Sequence, residues 1–118
     1  MLAEDLKNKI ARLITEELTR ANEKFPLFAS NHEAYAVILE EHEEVFEDLV
    51  EFDKNFELLW EAVRHNYNEY EVINCLKHML FNAQNAACEI IQLCAMCQKA
   101  IDSEERNRKK NVRQNNCD

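Results

Sequence analysis

The chain of 118 residues contains no glycine and a single proline, Pro26. Without glycine it has no glycine-rich loop of the kind that cradles phosphates with backbone amides, and it lacks the usual residue for tight hairpin turns. Long helices joined by short polar linkers suit such a composition, which predicts an all-α fold. If the protein handles phosphates, side chains and a metal ion must do that work.

Long apolar runs and an excess of basic residues are also missing. No run approaches the roughly 20 residues that span a bilayer, and the first residues lack the basic segment and apolar core of a signal peptide. The net charge is −9, and residues 1–102 carry nine Lys and Arg against twenty Asp and Glu. Nucleic acid favours a basic face, so neither nucleic acid nor a membrane is an expected partner. We expect a cytoplasmic protein.

The five cysteines are an odd number in a chain without a recognisable secretion signal. This favours free thiols in a reducing compartment. Cys94 and Cys97 form a CxxC pair, but no second pair is present to complete a zinc site. We interpret them as small core residues, with a zinc or redox role as the less favoured interpretation, and Cys117 as a thiol in the tail.

Apolar residues recur at helical spacing in four stretches, which predicts a four-helix bundle protomer. Pro26 ends the first helix because proline disfavours a helical residue before it, and Ser30 caps the second helix. Polar segments at 53–55 and 65–68 separate the second, third and fourth helices. The first and last predicted helices cover residues 2–24 and about 69–101.

Near Ser103 the apolar pattern gives way to a polar, asparagine-rich segment that contains a basic run. We therefore predict a helical domain over residues 1–102 and a mobile polar tail over residues 103–118. The basic run is interpreted as solubilising rather than as nucleic-acid binding.

Carboxylates interrupt the apolar stripe of the second helix. Glu41 occupies a position that the helical rhythm assigns to an apolar residue, and Glu44 lies beside it on the same face. On the last helix, Glu89 and Gln92 form a similar pair at the border of the stripe. Antiparallel packing of these helices would bring three carboxylates and an amide together. Such oxygen ligands suit Mg²⁺ or Mn²⁺ rather than zinc, and the Glu-x-x-His motif of di-iron bundles is absent.

Two segments resemble motifs of a known family. Glu40-Glu41-His42-Glu43-Glu44 resembles the EExxE motif of the MazG-like nucleoside triphosphate pyrophosphohydrolases, which belong to the all-α NTP pyrophosphatase superfamily. The segment that leads into it, residues 32–41, resembles the opening of the motif helix in short phage and bacterial members. Residues 89–96 resemble the second motif, ExxD followed by small residues, with Gln92 in place of the aspartate. The resemblance covers roughly residues 25–101, and the interval between the motifs is longer than is usual in the family.

The resemblance implies hydrolysis of a nucleoside or deoxynucleoside triphosphate to the monophosphate and pyrophosphate, by a homodimer or homotetramer. Carried over to this sequence, Glu41, Glu44 and Glu89 hold Mg²⁺ or Mn²⁺. Gln92 supplies a further ligand, and Glu40 orients a ligand or activates water. The residues predicted to contact the substrate are His32, Trp60, Asn85 and Lys99.

The alternative is a non-enzymatic helical bundle, either a degenerate relative or an acidic protein-binding module. It accounts for the neutral Gln92, but it leaves Glu41 on the apolar stripe unexplained. From the residues alone, His32 is interpreted as a surface residue and Trp60 as a core anchor, with substrate contact as the less favoured interpretation of each.

Overall fold

The computed structural model describes residues 3–66 and 68–115. Within these ranges the chain forms three helices and no strand: α1 (Glu4–Ala21), α2 (Asn31–Arg64) and α3 (Glu69–Asn115). The predicted all-α class is therefore confirmed. Among the described helices, none combines the length and the apolar character that a bilayer crossing requires.

Side-chain caps fix the starts of α2 and α3. The Ser30 hydroxyl accepts a hydrogen bond from the Glu33 N–H at 3.1 Å, and the Asn68 side-chain oxygen accepts one from the Glu71 N–H at 3.0 Å. Each bond satisfies a backbone donor that the first turn of a helix leaves without an intrahelical partner. The predicted Ser30 cap is thus confirmed.

The predicted break at 53–55 is absent, so the prediction of a four-helix protomer was wrong. Helix α2 runs through this segment without interruption for 34 residues. Lys54 pairs with Glu51 one turn earlier at 3.1 Å. The Asn55 amide donates to the Glu51 carbonyl oxygen and to the Asn82 side-chain oxygen, both at 3.0 Å. Because the segment contains neither glycine nor proline, these local bonds are compatible with a continuous helix.

The predicted end of the last helix at residue 101 was also wrong, because α3 continues to Asn115. Beyond Ser103 the chain is rich in Glu, Arg and Lys, which are good helix formers. Glu104 and Glu105 precede Arg108 and Lys109 by four residues, the order that stabilises an isolated helix. Cys117 and the end of the predicted tail lie outside the described residues.

The chain divides into two compact units. The first comprises the described parts of Met1–Glu40 and Ile91–Asp118, and its buried cluster is formed by Phe28, Ala34, Ala95 and Met96. Ile14 and Leu18 of α1, with further half-buried residues, pack against this cluster. The first unit therefore joins α1, the start of α2 and the second half of α3 around one core.

Ser103 and Lys99 hold the linker between α1 and α2 in the first unit. The Phe28 N–H donates to the Ser103 hydroxyl at 2.9 Å, and that hydroxyl donates to the Lys99 carbonyl oxygen at 2.7 Å. The Lys99 ammonium lies 4.7 Å from the centroid of the Phe28 ring, which is a cation–π distance. Ser103, where the sequence predicted the tail to begin, is therefore buried and bonded.

Replacing Ser103 by alanine is expected to lower the free energy of unfolding by about 1–3 kcal/mol, because the buried Phe28 N–H loses its acceptor. Chemical denaturation of Ser103→Ala measures the loss. The adjacent, exposed Glu104 provides the control, since Glu104→Ala removes no such bond. Equal stabilities for the two variants would contradict the role given to Ser103.

The second unit, Glu41–Ile90, is a pair of antiparallel helical segments from α2 and α3. Its buried apolar residues are Val45 and Ala62 on α2 and Cys75 and Ala86 on α3. The Asn55–Asn82 hydrogen bond crosses between the two segments at their half-buried side chains. A polar pair within an apolar seam fixes the register of two helices.

Candidate metal centre

Three carboxylates converge in the second unit. Glu41 and Glu44 lie one turn apart on α2, and Glu89 lies on α3. Each residue is half-buried, and one oxygen from each lies within 4.8 Å of the others. Within the described residues this is the one group of three or more such side chains that is close enough to hold a metal ion.

The local sequence explains why these acids face the seam. Glu41 precedes the buried Val45 by four residues, Glu44 follows Glu41 by three, and Glu89 follows the buried Ala86 by three. Residues three or four apart lie on one face of a helix, so these intervals place the carboxylates beside the apolar contacts that join the two helices. The structure therefore brings together the three carboxylates that the sequence predicted to converge.

The three acids repel one another when all are ionised. A hydrogen bond with Glu44, burial, and the charges of Glu44, Glu41 and Asp48 together raise the pKa of Glu89 to about 7. At neutral pH the metal-free cluster thus keeps a proton part of the time. A divalent cation would relieve the same repulsion, so the donor set fits Mg²⁺ or Mn²⁺.

Asp48 belongs to the electrostatic environment of this centre, although the sequence did not identify it as a site residue. Its charge contributes to the raised pKa of Glu89. The sequence indicates its position through spacing alone: Asp48 follows Glu44 by four residues and therefore lies on the same face of α2.

The other predicted metal-site residues lie in the first unit. Glu40 is exposed on α2, and Gln92 is half-buried on α3, one turn after Glu89. Their predicted roles in catalysis and metal binding remain predictions.

The four predicted substrate contacts are divided between the two units. His32 is exposed in the first turn of α2, and Lys99 is buried with its ammonium over the Phe28 ring. In the second unit, Asn85 is half-buried on α3 and Trp60 is exposed on α2. Trp60 lines a shallow hollow along α2 together with Phe56 and neighbouring residues, so it is accessible rather than a core anchor.

The cysteines show no pairing within the described residues, where Cys75, Cys88, Cys94 and Cys97 are free thiols. Cys94 is half-buried and Cys97 is exposed. The interpretation of this pair as core residues is therefore wrong for Cys97, whose side chain is exposed on α3.

No family model, curated protein or solved structure matches the chain. The residues of the site and the motifs in the sequence are therefore what indicates a function.

Proposed function

We propose that the protein is a metal-dependent hydrolase that converts a nucleoside or deoxynucleoside triphosphate into the monophosphate and pyrophosphate. The observation that supports this proposal best is the convergence of Glu41, Glu44 and Glu89 within 4.8 Å. The resemblance of residues 40–44 to the EExxE motif of the MazG-like enzymes suggests the reaction. The absence of glycine agrees with it, because a chain without a backbone phosphate cradle needs a cation to bind a triphosphate.

In this proposal Glu41, Glu44 and Glu89 hold Mg²⁺, or Mn²⁺ in its place, and Gln92 offers a neutral carbonyl oxygen one turn after Glu89. A bound Mg²⁺ supplies positive charge that offsets the charge of the triphosphate and makes a water molecule more acidic. The Glu89 carboxyl, whose pKa is about 7 without metal, gives up its proton when the ion binds.

Hydrolysis forms a bond from water oxygen to the α-phosphorus and breaks the bond from that phosphorus to the oxygen bridging to the β-phosphorus. Pyrophosphate leaves, and the attacking water loses a proton. We assign to Glu40 the acceptance of that proton or the orientation of a ligand. Its exposed position on α2 leaves its carboxylate accessible to solvent.

The four predicted substrate contacts differ in how well their surroundings suit the proposed role. Trp60 offers an exposed aromatic ring for stacking against a base, while His32 and Asn85 offer hydrogen-bonding groups. Lys99 has the least support, because its ammonium already contacts the Phe28 ring in the core of the first unit. The active form is proposed to be a homodimer or homotetramer.

Incubation with a panel of nucleoside and deoxynucleoside triphosphates, with and without Mg²⁺ or Mn²⁺, tests the proposal. We expect equimolar pyrophosphate and monophosphate from at least one substrate, and only when the metal is present. Release of inorganic phosphate with a diphosphate would contradict the proposed bond cleavage.

An acidic protein-binding module is the second candidate function. The neutral Gln92 and the many exposed apolar side chains of the second unit favour it. A folded protein that turns over no nucleotide in the panel, with either metal, would make this the better account.

A further inference from the structure

The end of α3 carries a concentration of positive charge. Residues 106–110 contain four Lys and Arg and no acid. The sequence predicted this run to lie in a mobile tail, where its charges would have no fixed arrangement. Because α3 continues to Asn115 and residues 104–112 are exposed, a regular helix instead presents these side chains to solvent.

Three of the four basic residues share one face of the helix. Each residue rotates the chain by about 100° around the helix axis, so Arg106, Lys109 and Lys110 lie within an arc of about 100°. They cover about 6 Å along the axis. Arg108 follows Arg106 by two residues and therefore lies on the opposite side. We call Arg106, Lys109 and Lys110 the basic face of α3.

The charges of the basic face are not neutralised by ion pairs with described residues. The cations that do form such pairs bond to glutamates three or four residues earlier, and they are Arg20, Lys54, Arg64 and His65. Asp102 precedes Arg106 by four residues, but its carboxylate accepts a hydrogen bond from the Gln98 amide at 2.9 Å. The basic face is therefore able to bind an external anion.

The acidity of the chain does not extend to this part of it. Residues 41–90, which form the second unit, carry three Lys and Arg against twelve Asp and Glu. This difference equals the whole net charge of −9, and the rest of the sequence carries eleven of each sign. The net charge was the reason for not expecting a nucleic-acid partner, and that reason applies only to the second unit.

The geometry of the basic face suits a polyanion with closely spaced charges. Duplex DNA carries one negative charge per about 1.7 Å of its axis, so a face about 6 Å long meets several phosphates. A helix with a diameter of roughly 10–12 Å also fits the major groove, which is about 12 Å wide. A membrane surface suits the segment less, because it requires an apolar face, and residues 104–112 offer only Val112.

We infer that the basic face of α3 binds the phosphate backbone of duplex DNA without recognising its base sequence. Phosphate contacts position a protein on DNA but do not read the bases. This binding goes beyond the proposed hydrolase activity and requires neither the metal centre nor turnover.

Fluorescence anisotropy with a labelled DNA duplex, in buffer without divalent metal, tests the inference. Three neutralised phosphates give a slope of about −2.7 for the logarithm of the association constant against that of the salt concentration, or a loss of about 40-fold between about 50 and 200 mM salt. Absence of binding at the lower salt concentration would overturn the inference, and so would an affinity that does not change with salt.

Single glutamine variants test the assigned face. Arg106→Gln, Lys109→Gln and Lys110→Gln are each expected to weaken binding several-fold and to reduce the magnitude of the slope by about 1. Arg108→Gln is the matched control, because it removes the same charge from the opposite side of the helix and should leave the slope unchanged. Equal effects at all four positions would overturn the assignment to one face.

Circular dichroism and thermal melting show whether the variants keep their fold. All four residues are exposed, so helix content and melting temperature should match those of the wild type. A variant that loses DNA binding together with its helix content would not support the assigned face, and the wild-type slope would then decide.

Single-stranded DNA and polyglutamate in the same assay distinguish the ligand. Equal or tighter binding of single-stranded DNA would overturn the choice of the duplex, and tighter binding of polyglutamate would indicate an acidic protein segment instead. Glu44→Gln should bind DNA like the wild type. Pyrophosphate release without DNA binding would overturn this inference alone, whereas DNA binding without turnover would overturn the proposed hydrolase alone.

Discussion

Replacing Glu44 by glutamine is expected to reduce metal-dependent pyrophosphate release by about 100-fold or more, since loss of a residue that only supports a ligand already costs about 10–100-fold. Glutamine keeps the size of the side chain but removes the charge that a dication requires. Glu41→Gln and Glu89→Gln should have effects of the same order, because all three oxygens lie within 4.8 Å of one another. Steady-state assays with the preferred nucleotide measure the loss.

The control for these variants is Glu43→Gln, which changes an exposed acid between Glu41 and Glu44. It should retain nearly wild-type activity. The glutamine variants at the cluster should also keep their helices, because removing one of several repelling charges does not destabilise the fold. If they unfold instead, the acids are structural and the proposed metal centre is wrong.

The stability of the metal-free protein is expected to fall as the pH rises from about 4.5 to about 7, in proportion to the ionisation of Glu89. The pKa of Glu89 is raised to about 7, chiefly by its hydrogen bond with Glu44 and by burial. In this range the folded chain holds a proton that the unfolded chain has released, so the folded state loses stability as the pH increases. The contribution is fully present below about pH 4.5 and is lost above about pH 7.

For a half-buried group that solvent partly screens, we expect the change to amount to about 1–2 kcal/mol. Thermal melting of the wild type and of Glu89→Gln at several pH values measures it, because the difference between the two curves reports the shared titration of Glu89 and its acidic neighbours. At pH 8 Mg²⁺ should stabilise the wild type by up to about 3 kcal/mol at 100 times its dissociation constant, and the variant much less. Parallel curves for the two proteins would contradict the raised pKa.

The sequence contained enough information to predict the three-carboxylate cluster. Glu41 interrupts an apolar rhythm, Glu44 lies one turn later, and Glu89 borders the stripe of another long helix. Since an acid at a seam position must face the partner helix, antiparallel packing was sufficient to bring the three together. Asp48 continues the acidic row of α2 one turn after Glu44, but this spacing alone does not show that its charge acts on Glu89.

The number and length of the helices were harder to predict. Asp53-Lys54-Asn55 is polar and was interpreted as a linker, because the segment alone does not show that Asn55 bonds to Asn82, 27 residues later. α3 continues beyond residue 101 because the residues there have high helix propensity. The apolar stripe ends near the same point, so the periodicity predicted that the helix ends there too. Sequence periodicity detects helices that are buried on one face, and the end of α3 is exposed throughout residues 104–112.

Lys99 shows that a contact between distant parts of the chain is hard to predict from the sequence. It borders the apolar stripe of α3 and was predicted to contact the substrate, yet it is buried with its ammonium over Phe28. The ring reaches that position because the linker between α1 and α2 is held by Ser103. A contact between residues more than 70 positions apart has no signature in the local sequence.

Binding of Mn²⁺, followed by electron paramagnetic resonance at pH 8, is the most direct test of the metal centre. The proposal predicts that the wild type and Glu43→Gln bind Mn²⁺ with similar affinity, that Mg²⁺ competes for the same site, and that Glu44→Gln binds at least about 100-fold more weakly. Equal binding by Glu44→Gln and the wild type would show that the three carboxylates are not the metal site, and the proposed hydrolase would lose its main support.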